Sequence, residues 1–294
     1  MRITVFTPAY NRGYIIETLY HSLQRQTFTD FEWVVVDDGS ADDTQERFER
    51  ILSEENPFPI RYVKTQNGGK HRAINCGVQL AEGELFYIVD SDDHLSDHAL
   101  ETIDRVEKSI PLDQKKQFAG VCGQRGYSLT NPIGTTFEGE ILDVTALQRL
   151  DYGIDGDKAE AIYTEIMRKY PFPEFEGERF LTECVVWDKM AADGYLLRFF
   201  NEVTTICNYL PDGLTSQGDE VFYRNPRGYA LYLYQSSKYG KLQRLNKWYN
   251  YLKFYYALRD RFSIIQMGRM LHMNPMVFWL RMFGLRVFDR LYNS

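Results

Sequence analysis

The side chains best suited to chemistry in this chain sit in Asp90-Ser91-Asp92-Asp93. The cluster follows Glu84–Val89, a short apolar run that reads as a buried strand. Carboxylates released together at a strand end repel one another, and a divalent cation relieves the repulsion. Mg2+ or Mn2+ takes one or two carboxylates and fills its remaining positions with water and phosphate oxygens. The same residues would also suit a solvated turn before a helix, because Asp and Ser favour turns and caps.

Three further clusters precede it. Thr7-Pro8-Ala9-Tyr10-Asn11-Arg12 has the make-up of a strand-to-helix turn. Asp37-Asp38-Gly39-Ser40 ends an apolar run; ionised carboxylates there only accept hydrogen bonds, which suits a nucleobase imide or ribose hydroxyls as well as a capping turn. Asn67-Gly68-Gly69-Lys70-His71-Arg72-Ala73-Ile74-Asn75-Cys76-Gly77 places glycines at a helix start, where exposed N–H groups favour an anion, with three basic side chains beside them. It is neither a P-loop nor a dinucleotide fingerprint.

The elements that must position these clusters alternate regularly. Strands are expected at Arg2–Thr7, Phe31–Asp37, Ile60–Lys64 and Glu84–Asp90, with helices at Tyr14–Gln26, Asp42–Glu54, Lys70–Ala81 and Asp97–Lys108. Such alternation implies an α/β fold, a mainly parallel sheet flanked by helices, with ligands beyond the carboxyl ends of the strands. Every cluster falls at such an end. Beyond it, strands are expected at Phe118–Gly123, Ala159–Thr164 and Val203–Tyr209, an excursion in 126–156, and a helix at Phe180–Ala192 before Gly194.

Together TPAYN, VVDDGS, the N-x-G-x-x-x-A-x-N-x-G pattern of 67–77 and IVDSDD resemble the family 2 glycosyltransferases of GT-A fold, over about residues 1–210. The resemblance implies an enzyme of hexosyltransferase type that moves a sugar from a nucleotide-diphosphate donor, most often UDP-linked, with inversion and with Mn2+ or Mg2+. By that resemblance Thr7, Asp37 and Asp38 lie against the base and ribose, and the expected donor site also takes Pro8, Tyr10, Asn11, Asn67, Gly69, Lys70, His71, Asn75, Asp90 and Ser91 from the same clusters. Asp90 and Asp92 match the family's D-x-D, with Asp92 the direct metal ligand and Asp90 towards ribose or a metal-bound water. Lys70-His71-Arg72 departs from the family's small residues, so its phosphate role is read from charge alone. The family's catalytic base is the Asp of a Glu-Asp pair about eleven residues before a Gly. Counting back from Gly194 reaches Glu183, preceded by Thr182; Glu178 is the alternative. A nucleotidyltransferase and a catalytically inactive donor-binding module remain the rival readings. The former would need a Gly-rich basic loop after the first strand, which Thr7–Arg12 lacks.

The 294 residues suffice for one large or two smaller domains, and the 44% hydrophobic and 26% charged content is ordinary for a globular protein. Cys76, Cys122, Cys184 and Cys207 have no paired spacing, which argues against a zinc site or a disulfide framework. A strand-like run opens at residue 2, so no signal peptide is expected, and no apolar run is long enough to span a membrane. The net charge of −7 conceals a division: 221–294 carries +11 and the remainder −18. The expected domains are a catalytic domain at 1–220 and a basic, aromatic, helical region at 221–294. Met276, Leu280, Phe283, Val287 and Leu291 would share one face of a last helix, and Arg286, Asp289, Arg290 and Asn293 another. That face suits an anionic membrane surface better than nucleic acid, with packing on the catalytic domain or homo-oligomerisation as the alternative. The expectation is thus a cytoplasmic enzyme, peripheral at the inner membrane, whose saccharide acceptor is carried on a polyprenyl lipid in surface-polysaccharide synthesis.

Overall fold

The computed structural model describes residues 1–241 and 244–292, apart from the side chains of 242–246 and 285–292. Its first half follows the alternation of the sequence. The order is β1 (Ile3–Ala9), α1 (Ile16–Gln24), β2 (Phe31–Asp37), α2 (Thr44–Ser53), β3 (Ile60–Lys64), α3 (Lys70–Leu80), β4 (Leu85–Ile88), a short β5 (His94–Leu95) and α4 (Ala99–Lys108). Strands β1, β2 and β4 are buried almost throughout, as expected when helices cover both faces of a parallel sheet. Helix α1 turns Ile16, Leu19, Tyr20 and Leu23 inward at helical spacing. Helix α3 lies so close to β1 that a side chain at Gly77 would run into the Phe6 ring.

The second half is built differently. It comprises β6 (Phe118–Ser128), β7 (Asn131–Pro132), β8 (Ile141–Val144), β9 (Lys158–Tyr163), α5 (Thr164–Lys169), α6 (Cys184–Ala192) and β10 (Leu196–Ile206). The strand order is β3-β2-β1-β4-β9-β6-β10-β5, with β7 beside β6 and β8 beside β10. Strands β3, β2, β1 and β4 pair in parallel, and β6 pairs in parallel with β10. Strand β9 runs antiparallel to both β4 and β6, and β5 and β8 are antiparallel to β10. The parallel sheet of the first hundred residues therefore continues as a mixed one.

Several boundaries differ from expectation, two of them beside the strands and helix that carry the base candidate. The last strand starts at Leu196, not Val203, because Leu196–Phe200 pair with β6 and β8, and Arg198 is accommodated there by forking onto Asp143 at 2.8 and 2.7 Å. Helix α6 begins at Cys184, and Glu183 stands at its N-cap, so Phe180–Thr182 lie outside the helix.

Beyond Gly218 the chain is helical: α7 (Glu220–Arg224), α8 (Pro226–Lys238), α9 (Arg244–Leu258), α10 (Ile264–Met270) and α11 (Pro275–Tyr292). One apolar cluster runs from Ile3 to Phe200, and a second unites Tyr229, Leu233, Phe254, Leu258, Met267, Phe278 and Met282. Lys241 reaches back to Asp188 on α6 at 2.9 Å. The described part of the expected stripe on α11 does not pack. Phe278 and Met282 face the core, whereas Met276, Val277, Trp279, Leu280 and Phe283 are exposed. Val287, Leu291, Arg286, Asp289 and Arg290 have side chains outside the described set, and Asn293 lies outside the described residues. Among the described residues no helix is long and apolar enough to cross a membrane.

Candidate active site

The strand exits converge on a cleft of about 1310 Å³. At the end of β1, Asn11 adopts φ 53°, a left-handed conformation that Asn tolerates better than most residues. Its side chain accepts the Ala41 N–H at 2.8 Å, and its own N–H donates to Ser40 Oγ at 2.8 Å. The β1 and β2 exits are thereby tied together. Asp38 accepts the N–H groups of Gly68 and Gly69, both at 2.7 Å, fixing the loop that opens α3. Gly69 has φ 97°, and any side chain there would strike the Arg179 carbonyl. The loop is thus held from both sides, and Lys70, the first residue of α3, is aimed into the cleft.

Lys70 organises the centre. Its ammonium lies 2.6 Å from Asp90 and 2.7 Å from Glu183, bridging the β4 exit to the start of α6. Arg125 on β6 donates to Asp90 and Asp93, each at 3.1 Å. Burial alone would raise the Asp90 pKa, but Lys70 and Arg125 outweigh it and hold the carboxyl well below its usual range. Asp93 shows the opposite balance: burial, then the Asp90 charge, push it up to about 7 despite Arg125. The Cys207 thiol donates to Asp93 at 3.3 Å and the Asn208 N–H at 3.2 Å. Asp92 also faces the cleft, where burial and then Asp90 raise its pKa.

Asp92 is the residue of this cluster that could hold a divalent cation. Asp92 is a carboxylate destabilised by burial and a like charge, which is the setting a cation relieves. Asp90 already meets one cation on each oxygen, Lys70 and Arg125, which would compete with an ion there. Among the described residues no group of three or more His, Cys, Asp or Glu forms a metal cage. An ion here would therefore complete its coordination with water and diphosphate oxygens, as Mg2+ and Mn2+ commonly do.

The cleft is lined by Pro8, Tyr10, Asn11, Asp38, Asn67, Gly69, Lys70, Asp90, Ser91, Asp92 and Glu183 from the expected set. Thr7, Asp37, His71, Asn75 and Glu178 are not among its lining residues, and each has an internal task or position. Thr7 Oγ1 accepts the Trp33 indole N–H at 3.0 Å. Asp37 accepts from Ser40 N–H at 2.7 Å and Tyr62 OH at 2.5 Å. Asn75 pins the 172–174 segment, donating to Phe172 O at 2.9 Å and accepting its N–H at 2.8 Å. His71 is buried, and burial followed by Arg72 lowers its pKa to about 4, so it is neutral at pH 7. Glu178 caps α8, accepting from Arg227 N–H at 2.8 Å and Gly228 N–H at 2.9 Å. Arg125, Arg149 and Trp187 also line the cleft without having been expected there, and so do Asp93 and Arg12, which stand inside the sequence clusters but outside the expected site set. Arg125 carries no local signal, since it lies beyond the expected end of its strand between Gln124 and Gly126.

Residues 4–133 match the family described as glycosyl transferase family 2. That match takes in all four carboxylate and glycine clusters at the strand exits but less than half of the chain. A 102-residue stretch is 38% identical to glycosyltransferase GlyG of Streptococcus pneumoniae, covering 34% of this chain and 33% of that protein. Another of 102 residues is 37% identical to the poly(ribitol-phosphate) beta-N-acetylglucosaminyltransferase TarS of Staphylococcus aureus, covering 34% of this chain and 18% of TarS. The chain thus spans about a third or less of these curated relatives. The crystal structure of TarS 1–349 in complex with UDP-GlcNAc superposes with a TM-score of 0.61 at 22% identity, covering 89% of this chain and 73% of that one. Mannosyltransferase PcManGT from Pyrobaculum calidifontis, in complex with GDP-Man and Mn2+, gives 0.55 at 17% identity, covering 100% and 88%. At those identities the likeness establishes the fold, which is GT-A. The family match sets the nucleotidyltransferase reading aside.

Proposed function

We propose that this chain is an inverting, metal-dependent glycosyltransferase that moves a sugar from a nucleotide-diphosphate donor, a UDP-sugar, to a saccharide hydroxyl. The observation that carries the reading is the Lys70 bridge. It brings Asp90, at the exit that ends in Asp92, within one ammonium of Glu183. A donor diphosphate at Asp92 would lie against Lys70 and Arg12, the cations whose field reaches that carboxylate. The donor complexes of TarS and PcManGT, with UDP-GlcNAc and with GDP-Man and Mn2+, support a nucleotide sugar in this cleft.

In the proposed transfer Glu183 takes the acceptor hydroxyl's proton as the oxygen attacks the anomeric carbon from the face opposite the leaving diphosphate. The glycosidic bond to UDP breaks in the same displacement. A divalent cation on Asp92, with Asp90 as second carboxylate, would supply charge neutralisation for the leaving group. Lys70 and Arg12 add fixed positive charge. Glu183 is preferred to Glu178 as the base because Glu178 already spends both oxygens on α8.

The division at 220 into a catalytic domain and a basic helical region belongs to the same proposal. So does attachment of the latter to an anionic cytoplasmic membrane face, where a polyprenyl-linked acceptor would be presented. Support comes from the +11 charge of 221–294 and from the exposed Met276, Val277, Trp279, Leu280 and Phe283 on α11. The test is a thermal-shift screen of UDP-, GDP- and dTDP-sugars with Mn2+, followed by turnover of the hit. A true donor should raise the melting temperature with occupancy; stabilisation without any release of UDP would mark an inactive binding module.

A further inference from the structure

Arg149 is a charged group in the cleft that the transfer just described does not use. It lies in a single helical turn, Arg149–Tyr152, and its side chain reaches the cleft that holds Glu183 and Trp187. Its Nε is buried without a hydrogen-bond partner, and the side chain makes no hydrogen bond or ion pair among the described residues. A buried guanidinium N–H left unmatched costs free energy, so such a group implies something that completes it.

Nearby carboxylates do not supply that partner. Asp188 feels the Arg149 charge but is held by Lys241 at 2.9 Å. Glu160 feels Arg125 more strongly than Arg149, and burial pushes its carboxyl up to about 6. The position is also distinct from the donor end. Asp92 responds to Arg12 and Lys70, whereas Arg149 acts on Glu160 and on Asp188 of α6. Trp187 lies one turn into α6 from its N-cap Glu183, with its N–H on the Glu183 carbonyl at 3.1 Å, and it also lines the cleft. An aromatic face one turn from the base is suited to a sugar ring that offers its hydroxyl to Glu183.

We infer that Arg149 is the anion receptor of the acceptor subsite: the acceptor saccharide carries a phosphate or a carboxylate that pairs with this guanidinium while its ring rests on Trp187. The inference depends on the glycosyltransferase reading. A planar guanidinium is matched to both oxyanions, which a neutral saccharide would not satisfy.

The test uses the full 15N-labelled chain saturated with UDP and Mg2+. The Arg149 Nε–Hε resonance, assigned by its loss in Arg149→Lys, is followed while glucuronic acid, glucose 6-phosphate or glucose is added. A saturable shift with one or both acids, and none with glucose, is expected; the acid that acts identifies the anion. Arg149→Gln should weaken binding of that acid by roughly tenfold or more while leaving UDP affinity unchanged. No shift with either acid in protein that binds UDP overturns the inference and leaves the glycosyltransferase reading intact. A shift produced by UDP alone also overturns it, placing Arg149 on the donor. Failure to bind UDP at all removes the reading and the inference together.

Discussion

Replacing Glu178 by Gln should cost stability without costing chemistry. Pro226, at the first position of α8, has no N–H, so Arg227 and Gly228 present two of the helix's first free donors. Both point at Glu178, a buried side chain at 2.8 and 2.9 Å. Gln keeps the shape and one acceptor oxygen but turns an NH2 towards the other donor. A buried N–H left unmatched costs about 1–3 kcal/mol. Loss of the charge at the helix dipole adds roughly 0.3–1 kcal/mol. The sum, on the order of 1–4 kcal/mol, should appear in urea unfolding as a lower midpoint with an unchanged slope. Turnover per folded molecule should stay within about twofold of the parent, since no group that touches substrate has changed. If Glu178→Gln unfolds like the parent yet is inactive, the capping argument is wrong and Glu178 is the base.

Asp92→Asn should abolish the dependence of UDP affinity on Mn2+; calorimetry with metal and with chelator checks this, and equal affinities in the parent protein would remove the metal assignment. His71 is held neutral with a pKa of about 4 against 6.5 when unfolded. Its folded value is depressed, so stability is complete above pH 6.5 and falls as the pH drops towards 4, by on the order of 3 kcal/mol. Denaturation of the parent and His71→Gln at pH 7 and pH 4.5 should show a smaller acid loss in the variant. Phe278→Ala should cost about 3–5 kcal/mol by opening the second apolar cluster. Phe283→Ser, at an exposed position, should change stability by less than about 0.5 kcal/mol yet weaken sedimentation with anionic vesicles.

The first half of the fold was legible because its short β-branched and aromatic runs alternate with amphipathic helices and are bounded by turn residues. Phe31–Asp37 and Ile60–Lys64 match to the residue. The mixed second half was not, since β9 owes its place to pairings with β4 and β6 that no local pattern encodes. The same limit applies to the site. A strand exit is readable, but which side chain turns outward is not: Thr7 serves Trp33 and Asp37 serves Tyr62, while their neighbours Pro8 and Asp38 meet the cleft. Arg125 was hidden because β6 runs five residues past the expected end at Gly123. On α11 the helical period was legible, but which stripe the fold covers was left open. Phe278 and Met282 pack, and the face through Met276, Leu280 and Phe283 remains open, because only the position of α9 and α10 decides which stripe is covered.

The central claim is that Glu183 takes the acceptor's proton in a cleft whose donor end it does not build. Glu183→Gln tests it most directly, with UDP affinity by calorimetry and turnover of the screened donor and acceptor measured on the same preparation. The account predicts turnover lower by roughly 10²-fold or more with UDP affinity nearly unchanged. Turnover close to the parent's, at that same UDP affinity, would contradict it.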